Sequence, residues 1–241
     1  MNARGLLALL LLCLPAAASA ETPRIAIIID DLGYHFANGR RAIDLPGPVA
    51  YSFLPGGPRA RALAEHAHRR GKDVLLHLPL QAYRDDDRSE PAEIHIDMGR
   101  TRVAAVFAEA LSSVPHAIGI NSHRGSLLTR HPGHMQWLME EIRARDDLFF
   151  VDSYTHHGSV ALQLARENGV SATKRDVFLD PDPSPETVAR EFERMKQLAR
   201  KRGHVVAIGH PQPATLALLE RELPRLAEEG FRLVGIRELL Q

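Results

Sequence analysis

The chain has 241 residues, 44% of them hydrophobic and 25% charged, with 30 basic and 30 acidic side chains. Balanced charge excludes a basic nucleic-acid footprint and an acidic tail, so no nucleic-acid partner is expected. The single cysteine, Cys13, excludes a disulfide framework.

The first twenty residues have the form of a secretory signal. Arg4 supplies a positive start, Leu6 to Leu14 an apolar core, and Ala18-Ser19-Ala20 a small-residue cleavage site. The apolar run is too short to span a bilayer comfortably, although an uncleaved anchor reads from the same pattern. Cys13 follows Leu11-Leu12 and lacks the small residues that precede a lipidated cysteine. Expected, therefore, is a mature chain beginning near Glu21, without a stable membrane span, in the periplasm or outside of a bacterium.

Beyond Glu21, short apolar runs alternate with helical stretches. Ile25 to Ile29 is continuous and β-branched, the pattern of a strand buried on both faces. Val49 to Leu54, Val74 to Leu76, Ala117 to Ile120 and Leu148 to Val151 follow. A weaker run lies near Val170, and the last two are Val205 to Ile208 and Phe231 to Ile236. Between them, Val103, Val106, Phe107, Ala110 and Leu111 repeat with helical period. Ser184-Pro185 is an N-cap and first-turn pair for a helix carrying Val188, Phe192, Met195 and Ala199. Pro213 opens a helix that Pro224 should kink late. Arg59 to Arg70, Pro132 to Arg143 and Ser159 to Asn168 are further helix candidates. This alternation predicts one α/β domain over 21–241, a distorted (β/α) barrel with seven or eight parallel strands. The charges of Asp85 to Pro91 are expected on a solvated loop.

In such a barrel the chemistry sits at the carboxyl ends of the strands. Asp30-Asp31 follow the first run, His77 the third, Asn121 to Ser126 the fourth. Asp152-Ser153 and then His156-His157 follow the fifth, and His210 the seventh. Two adjacent carboxylates near imidazoles repel unless a cation joins them. One carboxylate and two histidines, with a position left open for water, make a catalytic zinc-type site. Asp31, His77 and His123 are the expected ligands of a divalent metal, with zinc the expected ion. Asp30 is then the expected general base and His210 the acid that protonates a leaving amine. His66 and His68 are expected at the surface, and His131 and His134 at an exposed helix start. Tyr34, Tyr51, Tyr83 and Tyr154 are candidates for stacking on a sugar.

The segments Ile28-Ile29-Asp30-Asp31-Leu32-Gly33, Leu75-Leu76-His77-Leu78-Pro79-Leu80 and Gly119 to Ser126, together with Phe149 to Ser153 and Arg175 to Asp180, resemble the divergent polysaccharide deacetylase family. The similarity runs in order along nearly the whole mature chain. It implies a distorted (β/α) barrel related to carbohydrate esterases of the NodB type. It also implies Asp30 as base, Asp31 as metal ligand and His210 as acid, the roles already read from placement. Asp152 and Arg175 fall in family-like motifs and would orient substrate or the acid, with turn capping the competing role for Asp152. The sequence departs from typical NodB-type enzymes in having no second histidine just after His77, which leaves His123 to supply that ligand. The implied activity is metal-dependent removal of N-acetyl groups from a carbohydrate, such as a cell-wall glycan. The other class the sequence allows is a non-catalytic periplasmic protein that keeps such a site to bind glycan or a partner.

Overall fold

The computed structural model describes residues 21–83, 90–145 and 147–241. The signal-like segment Met1 to Ala20 lies outside them, as does most of the polar stretch after Tyr83. In chain order the elements are β1 (Arg24–Leu32), α1 (Phe36–Ile43), β2 (Ala50–Phe53), α2 (Ala60–Arg69), β3 (Val74–Leu80), α3 (Arg100–Ser113), β4 (Ala117–Arg124) and α4 (Pro132–Arg143). They continue as β5 (Phe149–Asp152), α5 (Ala161–Glu167), β6 (Ala172–Lys174), β7 (Val177–Phe178), α6 (Pro185–Arg202), β8 (His204–Gly209), α7 (Pro213–Glu222) and β9 (Arg232–Leu233).

All strand pairings are parallel, in the order β6-β5-β4-β3-β2-β1-β8-β7. This is the expected distorted (β/α) barrel. The distortion has a local cause. β6 and β7 are two pieces of one segment that changes partner. Arg175 N donates to Asp152 O and Asp176 N to Val206 O, both at 2.9 Å. The segment thus leaves β5, crosses to β8, and closes the curl without an eighth full strand. The last apolar run forms only the two-residue β9, which pairs with Arg24 and Ile25 at the start of β1.

Period-two alternation divides the core into two layers. Ile25, Ile27, Ile29, Tyr51, Phe53, Leu76 and Ile120 point outward and pack against the helices. Ala26, Ile28, Ala50, Leu75, Phe149, Val151, Val206 and Ile208 point inward, where Val234, Ile236 and Leu239 join them. The interior is therefore filled rather than open. Gly119 is a glycine because a Cβ there would lie 2.5 Å from the Phe149 ring. Truncating Phe149 would leave a cavity at a cost of about 3–5 kcal/mol.

The helix signals work as read at α6. Ser184 Oγ accepts from Thr187 N at 3.4 Å, and Gly203 ends the helix with φ 79°. At Pro224 the outcome differs from the expected kink. α7 stops at Glu222, and Leu223–Arg225 continue as a 3₁₀ turn that keeps Leu223 and Leu226 buried. Helix α1 is an addition to the sequence reading. Among the described residues no helix is long and apolar enough to cross a membrane.

Candidate active site at the carboxyl ends of the strands

Two further steps along the inward face turn the interior polar. Ala26-Ile28 lead to Asp30 and Ala50 leads to Ser52. Leu75 leads to His77, Gly119 to Asn121 and His123, Val151 to Ser153, and Ile208 to His210. Of these, Asp30, His77, His123, Ser153 and His210 line one cleft of about 190 Å³ together with Arg175 and Phe178, and Ser52 and Asn121 lie beneath them.

Asp30 is fully enclosed and receives Asn121 Nδ2–H on Oδ1 at 2.8 Å. Burial raises its pKa, against the opposing pull of His77, His210 and Asn121. Asp31 follows it with φ 57°. Burial would raise the Asp31 pKa too, but the His123 and His77 rings hold it far below the usual carboxylate range.

Asp31 Oδ1, His77 Nε2 and His123 Nδ1 form a near-equilateral triangle. The edges are 3.2 Å from Asp31 to His77, 3.1 Å from Asp31 to His123, and 3.1 Å between the two nitrogens. Asp31 Oδ1 is buried yet has no aligned hydrogen bond, despite two nitrogens so close. His77 shows why. Asn121 donates from Nδ2 to Asp30 and to Ser153 Oγ, so its Oδ1 accepts from Ser52 Oγ and from His77 Nδ1, the latter at 2.8 Å. With a proton on Nδ1 committed to Asn121, Nε2 is the ring atom left to present a lone pair beside Asp31. Carboxylate and imidazole lone pairs converging at this distance fit a shared divalent cation. Among the described residues this is the one group of three such side chains with ligand atoms all within 4.8 Å.

Across the mouth, His210 Nδ1 donates to Asp180 Oδ1 at 2.9 Å, and His210 Nε2 stands 3.6 Å from Asp31 Oδ2. Asp180 Oδ2 also accepts His210 N and Thr215 Oγ, each at 2.7 Å. Burial lowers the His210 pKa, but the Asp180 hydrogen bond and the charges of Asp31, Asp180 and Asp30 outweigh it and push it up to about 9. Asp180 is a residue that sequence reasoning quoted but gave no task. Its parity with Phe178 was the available signal.

Arg175 lines the cleft as expected. Its guanidinium donates to Ser153 O at 2.5 Å and Tyr154 O at 3.1 Å, and lies 4.7 Å over the Phe178 ring. Asp152 does not join the cleft. It is an outward position on β5, and its carboxylate accepts Tyr154 N at 2.8 Å and Ser159 Oγ at 2.7 Å, which is turn capping.

Other expectations are corrected. Glu90, from the loop expected to be solvated, has its carboxylate against His123 Nε2 at 3.1 Å. His134 is buried, with Nε2 donating to Met98 O at 2.9 Å, rather than exposed beside His131. Tyr51 is fully buried on the outer face and reaches no sugar, whereas Tyr34 and Tyr83 are exposed in loops following β1 and β3. His156 and His157 stack on each other and do not line the cleft.

Fold and site together define a distorted (β/α)-barrel protein with an Asp-His cluster at the strand ends. The chain belongs to the divergent polysaccharide deacetylase family, which it matches over residues 27–240. It is 37% identical over 216 residues to an uncharacterized protein of Haemophilus influenzae, covering 90% of this chain and 76% of that one. It is 36% identical over 220 residues to the uncharacterized protein YibQ of Escherichia coli K12, covering 91% and 67%. Among solved structures, an uncharacterized protein of Agrobacterium tumefaciens C58 superposes with TM-score 0.86 at 20% identity, covering 93% of this chain and 92% of that one. The catalytic domain of a peptidoglycan N-acetylglucosamine deacetylase from Eubacterium rectale gives 0.55 at 15% identity, covering 91% and 93%. A CE4-family pseudoenzyme from Bacillus anthracis gives 0.54 at 12% identity, covering 92% and 66%. The solved structures are alike in fold.

Proposed function

We propose that this protein is a metal-dependent hydrolase that removes N-acetyl groups from a cell-envelope carbohydrate, outside the cytoplasmic membrane. The observation that carries this reading is the meeting of the Asp31–His77–His123 triangle with Asp30 and His210 at one group of strand ends. Asp31, His77 and His123 would hold the cation, with zinc as our choice of ion. When bound, it supplies Lewis-acid polarisation of the acetyl carbonyl.

The chain's own groups do the proton work. Asp30, its basicity raised by burial, accepts the proton of the attacking water. Asn121 keeps that carboxylate oriented through the hydrogen bond to Oδ1. His210 carries a proton at neutral pH and donates it from Nε2 to the departing amine, while Asp180 holds the ring by Nδ1. Arg175, braced on two carbonyls, orients the substrate side of the cleft. Tyr34 and Tyr83 offer exposed ring faces for a sugar. The signal pattern of Met1 to Ala20 supports export.

The test is metal analysis of the purified protein, followed by acetate release from N-acetylated cell-wall fragments. Zinc uptake with acetate release supports the reading. Metal uptake with no release over a broad substrate panel would favour the non-catalytic glycan- or partner-binding protein instead.

A further inference from the structure

We infer that Glu90 is a positioning residue for His123 and, through it, for the cation that Asp31, His77 and His123 would share. The inference rests on the reading of this cleft as a metal site.

The geometry begins with the His123 ring. Glu90 straddles its Nε2, with Oε1 at 3.2 Å and Oε2 at 3.1 Å. An ionised carboxylate only accepts, so Nε2 carries the proton facing it. When the ring binds a cation it gives up its other proton, and the lone pair then lies on Nδ1, the atom that faces Asp31 Oδ1 and His77 Nε2. Glu90 thereby does for His123 what Asn121 does for His77. It selects the tautomer and the ring orientation, and its charge also raises the basicity of Nδ1.

Glu90 is not a loose surface group that happens to lie near. Its N–H donates to Glu93 Oε2 at 3.2 Å, and Glu93 is buried with that side chain. Glu93 N returns to Glu90 O at 3.2 Å. The segment is bonded to the end of β3, the strand that bears His77. Ile94 N donates to Pro79 O and Gln81 N to Ile94 O, both at 3.0 Å. Ile96 N donates to Gln81 Oε1 at 2.9 Å. Arg124, next to His123, brings its guanidinium to 3.4 Å from Glu90 Oε1 and offsets the carboxylate charge. The carboxylate, its anchor and the two histidine-bearing strands, β3 and β4, form one connected unit.

The test is calorimetric titration of Zn²⁺ into the full chain and its Glu90→Ala and Glu90→Gln variants, with melting of the metal-free proteins alongside. Glu90→Ala should weaken Zn²⁺ binding by about 10–100-fold, the usual loss when an outer partner of a metal histidine is removed. Glu90→Gln keeps an acceptor for Nε2–H but loses the charge, so its loss should be smaller. A merely structural role would lower the melting temperature and leave Zn²⁺ affinity within twofold of the parent, which overturns the inference. Should Glu90→Ala fail to fold, the isosteric Glu90→Gln decides, since parent-like affinity there overturns it equally. A parent that binds no Zn²⁺ defeats the metal reading and this inference together. That result is distinct from tight binding by parent and variants alike, which defeats only the role of Glu90.

Discussion

Asp30 and Asp31 are covalent neighbours on β1, yet both carboxylates face His77 Nε2, at 3.5 and 3.2 Å, because Asp31 adopts φ 57°. Adjacent residues of a regular strand point to opposite faces. Here the β1–β2 register shifts between Ile29 and Leu32, and the left-handed residue swings the second carboxylate back toward the mouth. Asp and Asn tolerate that conformation better than other L-residues.

Asp31→Asn tests this pairing of backbone and charge. The variant keeps a residue suited to φ > 0 and should melt close to the parent. Its Zn²⁺ affinity should fall by more than about 100-fold, since even outer-partner losses cost 10–100-fold. Asp31→Val should add strain of about 1–2 kcal/mol, visible in chemical denaturation. An Asn variant that holds Zn²⁺ as tightly as the parent would remove Asp31 from the ligand set.

Asp30→Asn separates base from ligand. The amide oxygen still accepts from Asn121, so the cleft should stay assembled and metal content should be retained. Acetate release should fall by about 10²–10⁴-fold in kcat, the contribution of a positioned general base. Parent-like turnover with Asn at this position would mean that another group takes the proton.

Asp180 accepts three hydrogen bonds, from His210 Nδ1, His210 N and Thr215 Oγ. Asp180→Ala should therefore destabilise the fold, at about 1–3 kcal/mol for each donor left unpaired in the interior. Asp180→Asn retains one acceptor and should fold. It should lower kcat by about 10²-fold or more, within the range of a general acid, with KM little changed. Equal kcat for parent and Asp180→Asn would leave Asp180 as a packing residue only.

Asp152 gives a prediction about pH. Burial raises its pKa in the folded protein, despite the hydrogen bonds from Ser159 and Tyr154. A folded pKa above the unfolded one makes the native state the better proton binder, so this carboxylate's stabilising contribution is complete below about pH 4 and is lost as pH rises through the folded value. Asp152→Asn should gain stability relative to the parent between pH 4 and pH 7 in urea denaturation, with acetate release within twofold. A large drop in kcat would instead return Asp152 to the cleft chemistry.

How much of this was legible in the chain differs from residue to residue. His77, His123 and His210 were legible because each continues an inward apolar alternation by one or two steps, and period two is a local property of a strand. Asp152 shows the limit of that rule. It follows an apolar run like the others, but its parity on β5 puts it on the outer side, and the chain turns back to cap itself. Tyr51, inside its run, and His134, in the first turn of α4, show that limit too, since the side each faces is set by what packs against the element. Position after a run says that a residue is near a strand end, not which way it faces. Glu90 was hidden by its setting, since a carboxylate in an acidic stretch carries no period.

The amino-acid sequence by itself determined the alternation of strands and helices, the filled interior and the polar layer above it, because these follow from spacing between near neighbours. Tertiary structure alone decided that one segment closes the barrel by changing partners at Arg175 and Asp176, that Asp180 holds His210, and that Asn121 and Glu90 face the outer nitrogens of His77 and His123. Those contacts join residues between 23 and 44 positions apart. A hydrogen bond depends on distance and angle to within a few tenths of an ångström, which only the folded packing of whole elements sets.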